Sequence, residues 1–344
     1  MTKTDELLDY REASQHADVA ADRASVRHAA AFHRPTVCHV LHTLHVGGGE
    51  VLARAFARTN ESEFRPVFAL LDDLGDLGRE LQEQGYAVQV LGRRPGFDRG
   101  CVSRLRQFFT RERVAVVHAH QYGPLLYSAV ARLPRRCPSI LFTEHGRDAP
   151  DYRRWKRVWA NRVLLTRRDR FVAVGNEVKR ALIAFEGLPA RRVEVIYNGR
   201  DLSAYDPQKT EREVVRRELG LAEDAFVVMQ VARLNRLKDH PTALRAIGRL
   251  VGERPHVRLV LVGDGEDRAL LEEFVKELHL EDAVLLLGSR DDVPRLLQAA
   301  DAFLLSSITE GIPLTLIEAM ATGLPCVGTN VGGMTEVITA EDTG

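Results

Sequence analysis

Residues 226–266 read FVVMQVARLNRLKDHPTALRAIGRLVGERPHVRLVLVGDGE. Phe226 to Val231 and Val257 to Val262 are short, Val- and Leu-rich runs, and Pro241 to Val251 between them has helix length. Such runs suit strands buried on both faces. A helix joining two of them is the crossover that makes neighbouring strands parallel. One βαβ unit of a doubly wound α/β sheet is therefore expected here, with Ala232–His240 and Gly263–Glu266 lying just beyond strand ends.

The same rhythm extends in both directions. Towards the C-terminus, strands are predicted at Val284–Leu287, Ala302–Leu305 and Cys326–Gly328, with helices at Asp267–Leu278, Val293–Ala300 and Pro313–Thr322. Towards the N-terminus, strands are predicted at Thr36–Leu44, Val67–Leu71, Ala87–Leu91, Val114–Val117, Ile140–Thr143, Phe171–Val174 and Val193–Ile196. Helix-length segments there include Glu50–Arg58, Leu77–Gln84, Val102–Arg111 and Tyr152–Leu165. The Asn198-Gly199 turn, Pro207 and the charged stretch Lys209–Arg217 place a boundary near residue 200. The expected organisation is a polar tail over 1–34, one doubly wound domain over 35–200 and a second over 201–344. Ligands of open α/β sheets bind at the carboxyl ends of the strands, so two such domains should face a shared cleft.

Composition narrows the classes. The chain has 344 residues, 48 Lys and Arg, and 48 Asp and Glu, so its net charge is zero. A neutral chain has no global field for nucleic acid. Locally, residues 93–170 hold 19 Lys and Arg against six Asp and Glu, a net of +13. That imbalance is either a set of solvated helix faces or a basic surface for anionic lipid or a phosphorylated acceptor. Cys38, Cys101, Cys137 and Cys326 stand apart with no C-x-x-C pair, so a disulfide framework or zinc site is not expected. No apolar run reaches the roughly 18 residues of a membrane span, and the N-terminus has no apolar signal core. A cytoplasmic protein, at most peripheral on the inner face of the cell membrane, is the expectation.

Chemistry-bearing residues collect after the strands. Thr309-Glu310-Gly311-Ile312-Pro313-Leu314-Thr315-Leu316-Ile317-Glu318 follows the strand ending at Leu305. Pro313 suits the first turn of a helix. The N–H groups near Leu314 and Thr315 would favour an anion in the cleft. Glu310 and Glu318 are poor phosphate ligands but good acceptors for sugar and ribose hydroxyls. Arg233 and Lys238, after Val231, suit a diphosphate. Gly263 and Gly265 allow close approach of a ligand, although a lone G-x-G is weak and Arg268 occupies the third glycine of a dinucleotide fingerprint. Gly47-Gly48-Gly49 open a helix after the first strand, without the Lys-Ser or Lys-Thr of a P-loop. His118, His120 and His145 lie at or beside two strand ends. A metal site there is disfavoured on the expectation that His118 and His120 point to opposite faces.

The Glu310–Glu318 segment resembles the E-x7-E motif of the retaining GT-B glycosyltransferases of family GT4. Arg233-Leu234 through Lys238 is similar to that family's R-L-x-x-x-K-G element, with Asp239 in place of its Gly. The resemblance implies two Rossmann-like domains, a nucleotide-sugar donor and transfer with retention. It implies that Glu310 contacts the transferred sugar and Glu318 the ribose. It also implies that Arg233 and Lys238 hold the leaving diphosphate, and that His120 and His145 line the cleft near the transferred sugar. The implied donor-binding set is Gly48, Gly49, Arg233, Lys238, Gly263, Gly265, Glu310, Gly311, Leu314, Thr315 and Glu318. No D-x-D occurs, and Arg233, Lys238 and the helix start can neutralise a diphosphate, so metal-independent transfer without any cofactor is expected; the neutral net charge gives no reason to expect a nucleic-acid partner. The expected acceptor is a glycan or lipid-linked hydroxyl of bacterial envelope biosynthesis, with UDP as the leading nucleotide. The alternative is a non-catalytic sugar-nucleotide-binding protein of the same fold. The family continues past the element matching Val331-Gly332-Gly333, so the second domain is expected to be incomplete.

Overall fold

The computed structural model describes residues 34–147, 151–206 and 211–339. The expected tail over 1–34 lies, but for Arg34, outside them. Two wholly parallel sheets organise the chain. The first has seven strands, β1 (Thr36–Leu41), β2 (Arg65–Leu70), β3 (Ala87–Val90), β4 (Val114–His120), β5 (Ser139–Glu144), β6 (Arg170–Ala173) and β7 (Val193–Val195), in the order β3-β2-β1-β4-β5-β6-β7. The second has five, β8 (Phe226–Val231), β9 (Val257–Val262), β10 (Val284–Gly288), β11 (Ala302–Leu305) and β12 (Cys326–Gly328), in the order β10-β9-β8-β11-β12.

The helices of the first half are α1 (Gly48–Thr59), α2 (Asp76–Glu83), α3 (Arg99–Arg111), α4 (Tyr122–Ala131), α5 (Trp155–Leu164) and α6 (Asn176–Glu186). Those of the second are α7 (Arg212–Glu218), α8 (His240–Glu253), α9 (Arg268–Glu277), α10 (Val293–Leu297) and α11 (Leu314–Ala321). The α/β expectation holds, and β8, β9, β11 and β12 keep their expected bounds. Three helices, α4, α6 and α7, are additional to the reading. In α4, Tyr122, Leu125, Tyr127, Ser128, Ala129 and Ala131 are all buried, so no polar face marks the helical period. The first strand ends at Leu41 rather than Leu44, because residues 42–47 turn out of the sheet into the loop that starts α1. Pro313 caps α11 from outside instead of lying in its first turn.

Every residue of β1 is buried, as a central strand with helices on both faces requires. One core cluster joins β1, β4, β5 and β6 to α3 and α4 through Val40, Leu105, Val117, Leu125, Phe142 and Phe171. A second gathers Val227, Met229, Leu297, Phe303, Leu305 and Leu316 beneath the other sheet. In each sheet the chain moves outward one way and then jumps to the other side of its first strand. The two reversals fall between β1 and β4 and between β8 and β11. At such a reversal neighbouring loops turn to opposite faces and leave a crevice.

The halves are joined at that edge. Glu336, beyond β12, accepts hydrogen bonds from the backbone N–H of Asn176 at 2.9 Å and of Glu177 at 3.0 Å, capping α6. Tyr197 donates to the same carboxylate at 2.9 Å, and Asn198 Nδ2 donates to the Ile312 carbonyl at 2.7 Å. Glu336→Ala strips a carboxylate cap from a helix start and is expected to cost about 0.5–2 kcal/mol. Urea denaturation at pH 7.5 measures it, and an unchanged midpoint would contradict the role.

Candidate functional site

The four strands that flank the two reversals, β1, β4, β8 and β11, carry nearly all the residues singled out from sequence. Gly48 and Gly49 open α1, after β1. His120 ends β4, and His145 follows β5. Arg233 and Lys238 follow β8, and Glu310 and Gly311 follow β11, just ahead of α11.

The starts of α1 and α11 face each other. A methyl group added at Gly48 would meet the Leu314 side chain at 4.0 Å, and one added at Gly49 would meet the His145 ring at 3.1 Å. First-turn N–H groups have no intrahelical acceptor, and the two partial positive charges of the helix ends converge on one place. Gly311 seals the contact between halves, because a Cβ there would lie 2.1 Å from the His145 carbonyl oxygen.

Lys238 ends a short 3-10 turn, Arg236–Lys238, and donates to Glu310 Oε1 at 2.5 Å. Ser307 Oγ donates to the same oxygen at 2.6 Å. The next residue, Asp239, has φ +44°, the left-handed region that glycine enters freely and Asp is among the few others to tolerate. Asp239 therefore keeps a backbone turn that a glycine would also allow. Ser306 Oγ, which donates to the Lys238 and Asp239 carbonyls at 3.0 and 2.9 Å, ties this loop to the one after β11. Arg233 is exposed and donates to Glu266 at 3.2 Å. Glu50 in the first turn of α1 is pushed up by burial, an effect that the Arg233 charge opposes.

Glu318 has partners of its own, different from those of Glu310. It is buried on α11 and ion-paired with Arg200 Nε at 2.8 Å. Burial raises its pKa, against the Arg200 charge and a hydrogen bond from Tyr205. The sequence pattern singles out neither Arg200 nor Tyr205. The one signal for Arg200 is its place directly after Asn198-Gly199, a pair that by itself marks only a turn. Ser307 carried no signal beyond nearness to Glu310.

Gly263 and Gly265 have a packing reason within the protein. Cβ atoms there would lie 2.0 Å from the Ala232 carbonyl oxygen and 2.3 Å from that of Leu234. The loops after β8 and β9 touch through backbone, which only glycine permits.

The expectation that His118 and His120 diverge is overturned. Alternate residues of a strand share a face, and β4 stays regular to His120, so the two rings lie 4.1 Å apart. His39, on neighbouring β1, joins them. His39 Nδ1 lies 3.1 Å from His120 Nε2, and His120 Nδ1 lies 2.9 Å from His145 Nε2, so three imidazoles are hydrogen-bonded in series. His118 Nε2 bonds Thr143 Oγ1 at 2.8 Å. Burial pushes His39 down to about 3 and His145 to about 4, and it lowers His118 and His120 well below the usual range. All four are therefore neutral at physiological pH. Among the described residues, His39, His118 and His120 could hold a metal, their donor atoms lying within 4.8 Å of one another. His120 already spends both ring nitrogens on His39 and His145.

Comparison with known proteins identifies relatives of both halves. Residues 46–204 match the family described as Glycosyltransferase Family 4, and residues 211–344 match Glycosyl transferases group 1. The N-acetyl-alpha-D-glucosaminyl L-malate synthase of Bacillus anthracis is 31% identical over 260 residues, 73% of this chain and 65% of that protein. The UDP-Gal:alpha-D-GlcNAc-diphosphoundecaprenol alpha-1,3-galactosyltransferase of Escherichia coli is 30% identical over 241 residues, 67% of this chain and 61% of that protein. The chain thus spans less than two thirds of the length of both relatives. The crystal structure of Anabaena HepE in complex with UDP-glucose superposes with a TM-score of 0.74 at 25% identity, covering 88% of this chain and 83% of that one.

Proposed function

This chain belongs to the group 1, family 4 glycosyltransferases, and from that premise we propose that it moves a sugar from a nucleoside-diphosphate sugar to a hydroxyl group with retention of anomeric configuration. The observation that carries the reading is the convergence of two helix starts with Lys238 and Glu310 at the carboxyl ends of both sheets. Positive ends and a Lys suit the diphosphate. Glu310, held by Lys238 and Ser307, suits a hydroxyl of the transferred sugar. UDP is the leading nucleotide, supported by the UDP-glucose complex of the HepE structure and the UDP-galactose named for the Escherichia coli relative. Glu318 would take the ribose by turning an oxygen from Arg200 or Tyr205.

In the proposed step the bond from the anomeric carbon to the phosphate oxygen breaks while the acceptor oxygen bonds that carbon from the same face. The acceptor proton passes to the departing phosphate oxygen. Lys238, Arg233 and the two helix starts stabilise the charge developing on the diphosphate, the largest kind of catalytic contribution. Neutral His145, oriented by His120 through its Nε2, holds the sugar by a hydrogen bond from its other ring nitrogen, not as a cation. Transfer so described needs no metal.

The acceptor side would lie over β1–β3, where a recess of about 300 Å³ is lined by Asp72, Arg93, Arg94, Pro95 and Gly96. Arg93 is held there by two hydrogen bonds to Asp72, at 2.7 and 2.8 Å. A glycan or lipid-linked acceptor of envelope biosynthesis, reached at the inner face of the cell membrane, is the proposed substrate. A screen of UDP-, GDP- and ADP-sugars for nucleoside diphosphate release tests the whole reading, with release expected from one of them and unchanged after EDTA. Donor binding without release would instead identify a sugar-nucleotide-binding protein, and loss of release on chelation would overturn the metal-free step.

A further inference from the structure

Helix α5 presents an apolar stripe that stays mostly exposed among the described residues. Trp155, Trp159 and Val163 are 61, 65 and 60% exposed, and Tyr152 just before the helix is 59% exposed. A spacing of four residues advances about 40° around a helix, so the three helical positions form one stripe. Lys156 and Arg162, both exposed, border it on either side. Arg153 lies over the Trp155 ring, 4.2 Å from its centroid.

The opposite face accounts for the fixed position of the helix. Arg157 pairs with Glu186 at 2.9 Å and lies over the Tyr122 ring. Asn161 Nδ2 donates to the Glu186 carbonyl at 2.9 Å, and Leu164 packs on the core of the first sheet. The helix cannot turn its Trp residues inward without breaking these contacts.

Charge identifies what the stripe meets. Residues 152–170 contain eight Lys and Arg and one acid, Asp169. Asp169 is wholly buried on Arg132, so the outer surface of the segment carries cations alone. Exposed indoles beside long basic side chains on one helix are the composition of an interfacial helix, with rings at the acyl boundary and cations at the headgroups. A protein partner of ordinary polarity would leave this charge uncompensated.

We propose that α5 docks the protein on an anionic phospholipid bilayer, Trp155, Trp159 and Val163 entering the interface and Lys156 and Arg162 meeting the headgroups. In a parallel sheet each helix begins at the carboxyl edge of the strand before it, so α5 starts at the cleft edge, ten positions after His145. Docking there sets the carboxyl edge of the first sheet, which the acceptor recess also borders, close to the lipid surface. This use rests on the lipid-linked acceptor reading, but binding itself is measured without donor or acceptor.

The chain has two Trp residues and both lie on this stripe, so tryptophan emission reports on it directly. Phosphatidylglycerol-containing vesicles are expected to shift the emission to the blue and to co-sediment the protein, whereas phosphatidylcholine vesicles do neither. High salt should reverse both effects. Lys156→Glu with Arg162→Glu should weaken co-sedimentation at least about thirtyfold. Trp155→Ser with Trp159→Ser should weaken it at least about tenfold, with thermal melting and nucleoside diphosphate release in vesicle-free solution unchanged. Unaltered emission and no co-sedimentation at low salt would overturn the proposal. So would equal binding to neutral vesicles, or a concentration-dependent blue shift without lipid accompanied by a dimer mass. A protein that releases nucleoside diphosphate yet ignores vesicles loses this inference alone.

Discussion

Lys238→Ala is expected to lower kcat by about 10²–10³-fold, the range found when one preorganised donor to a developing anion is removed. Two effects act together. The diphosphate loses a positive partner, and Glu310, whose side chain is only 9% exposed, loses the ammonium that holds it at 2.5 Å. Ser307 alone then orients the carboxylate. Lys238→Arg should recover little, because a planar fork does not replace a compact ammonium packed against one carboxylate oxygen. Steady-state nucleoside diphosphate release at saturating donor measures the effect. A kcat within threefold of the parent would remove Lys238 from the catalytic assignment and with it the main support for the diphosphate site.

The largest expected loss of stability lies elsewhere, at Arg132. Its guanidinium donates to both oxygens of Asp169, at 2.6 and 2.7 Å, and both side chains are fully buried. It also donates to the carbonyls of Pro138 and Leu164, while Asp169 accepts from the N–H groups of Ile140 and Thr166. One ion pair thus ties the end of α4, the start of β5, the end of α5 and the start of β6. Arg132→Met leaves a buried carboxylate without its cation and is expected to cost about 3–5 kcal/mol. Replacing both partners by apolar residues of similar volume should cost far less, since the penalty belongs to the unpaired charge.

The pH dependence has a definite sign. Burial pushes the Asp169 pKa up, but hydrogen bonds from Arg132 and Thr166 and the Arg132 charge outweigh it, and the result lies below the ordinary value. In the parent, Asp169 therefore contributes stability above its unfolded pKa, near 3.9, and that contribution is lost as pH falls through the lower folded value. In Arg132→Met the buried carboxylate is left to protonate more readily, so the deficit should shrink between pH 7.5 and 4.5. Urea melts at the two pH values measure this. A deficit that is equal at both, or below 1 kcal/mol at pH 7.5, would contradict it.

Local pattern alone carries the α/β class, the strands of both sheets and the position of Arg233, Lys238, Glu310 and His145 just beyond strand ends. These are local properties: a run such as Val257–Val262 is apolar on both faces wherever it lies, and a loop follows it in the chain whichever strand it joins. Which strand ends meet depends on packing between distant segments. Only the pairing of β1 with β4 brings His39 to His118 and His120, and only the apposition of the two halves sets the start of α1 against that of α11. Periodicity gives a stripe on a helix without saying whether it faces core or solvent. The four-residue spacing of Trp155, Trp159 and Val163 is the same in either case, and the burial of Asn161 with the packing of Leu164 on the core turns the indoles outward. Glu318 shows the same limit, since its partner Arg200 lies 118 positions away in the chain and nothing in the composition of either segment announces the contact.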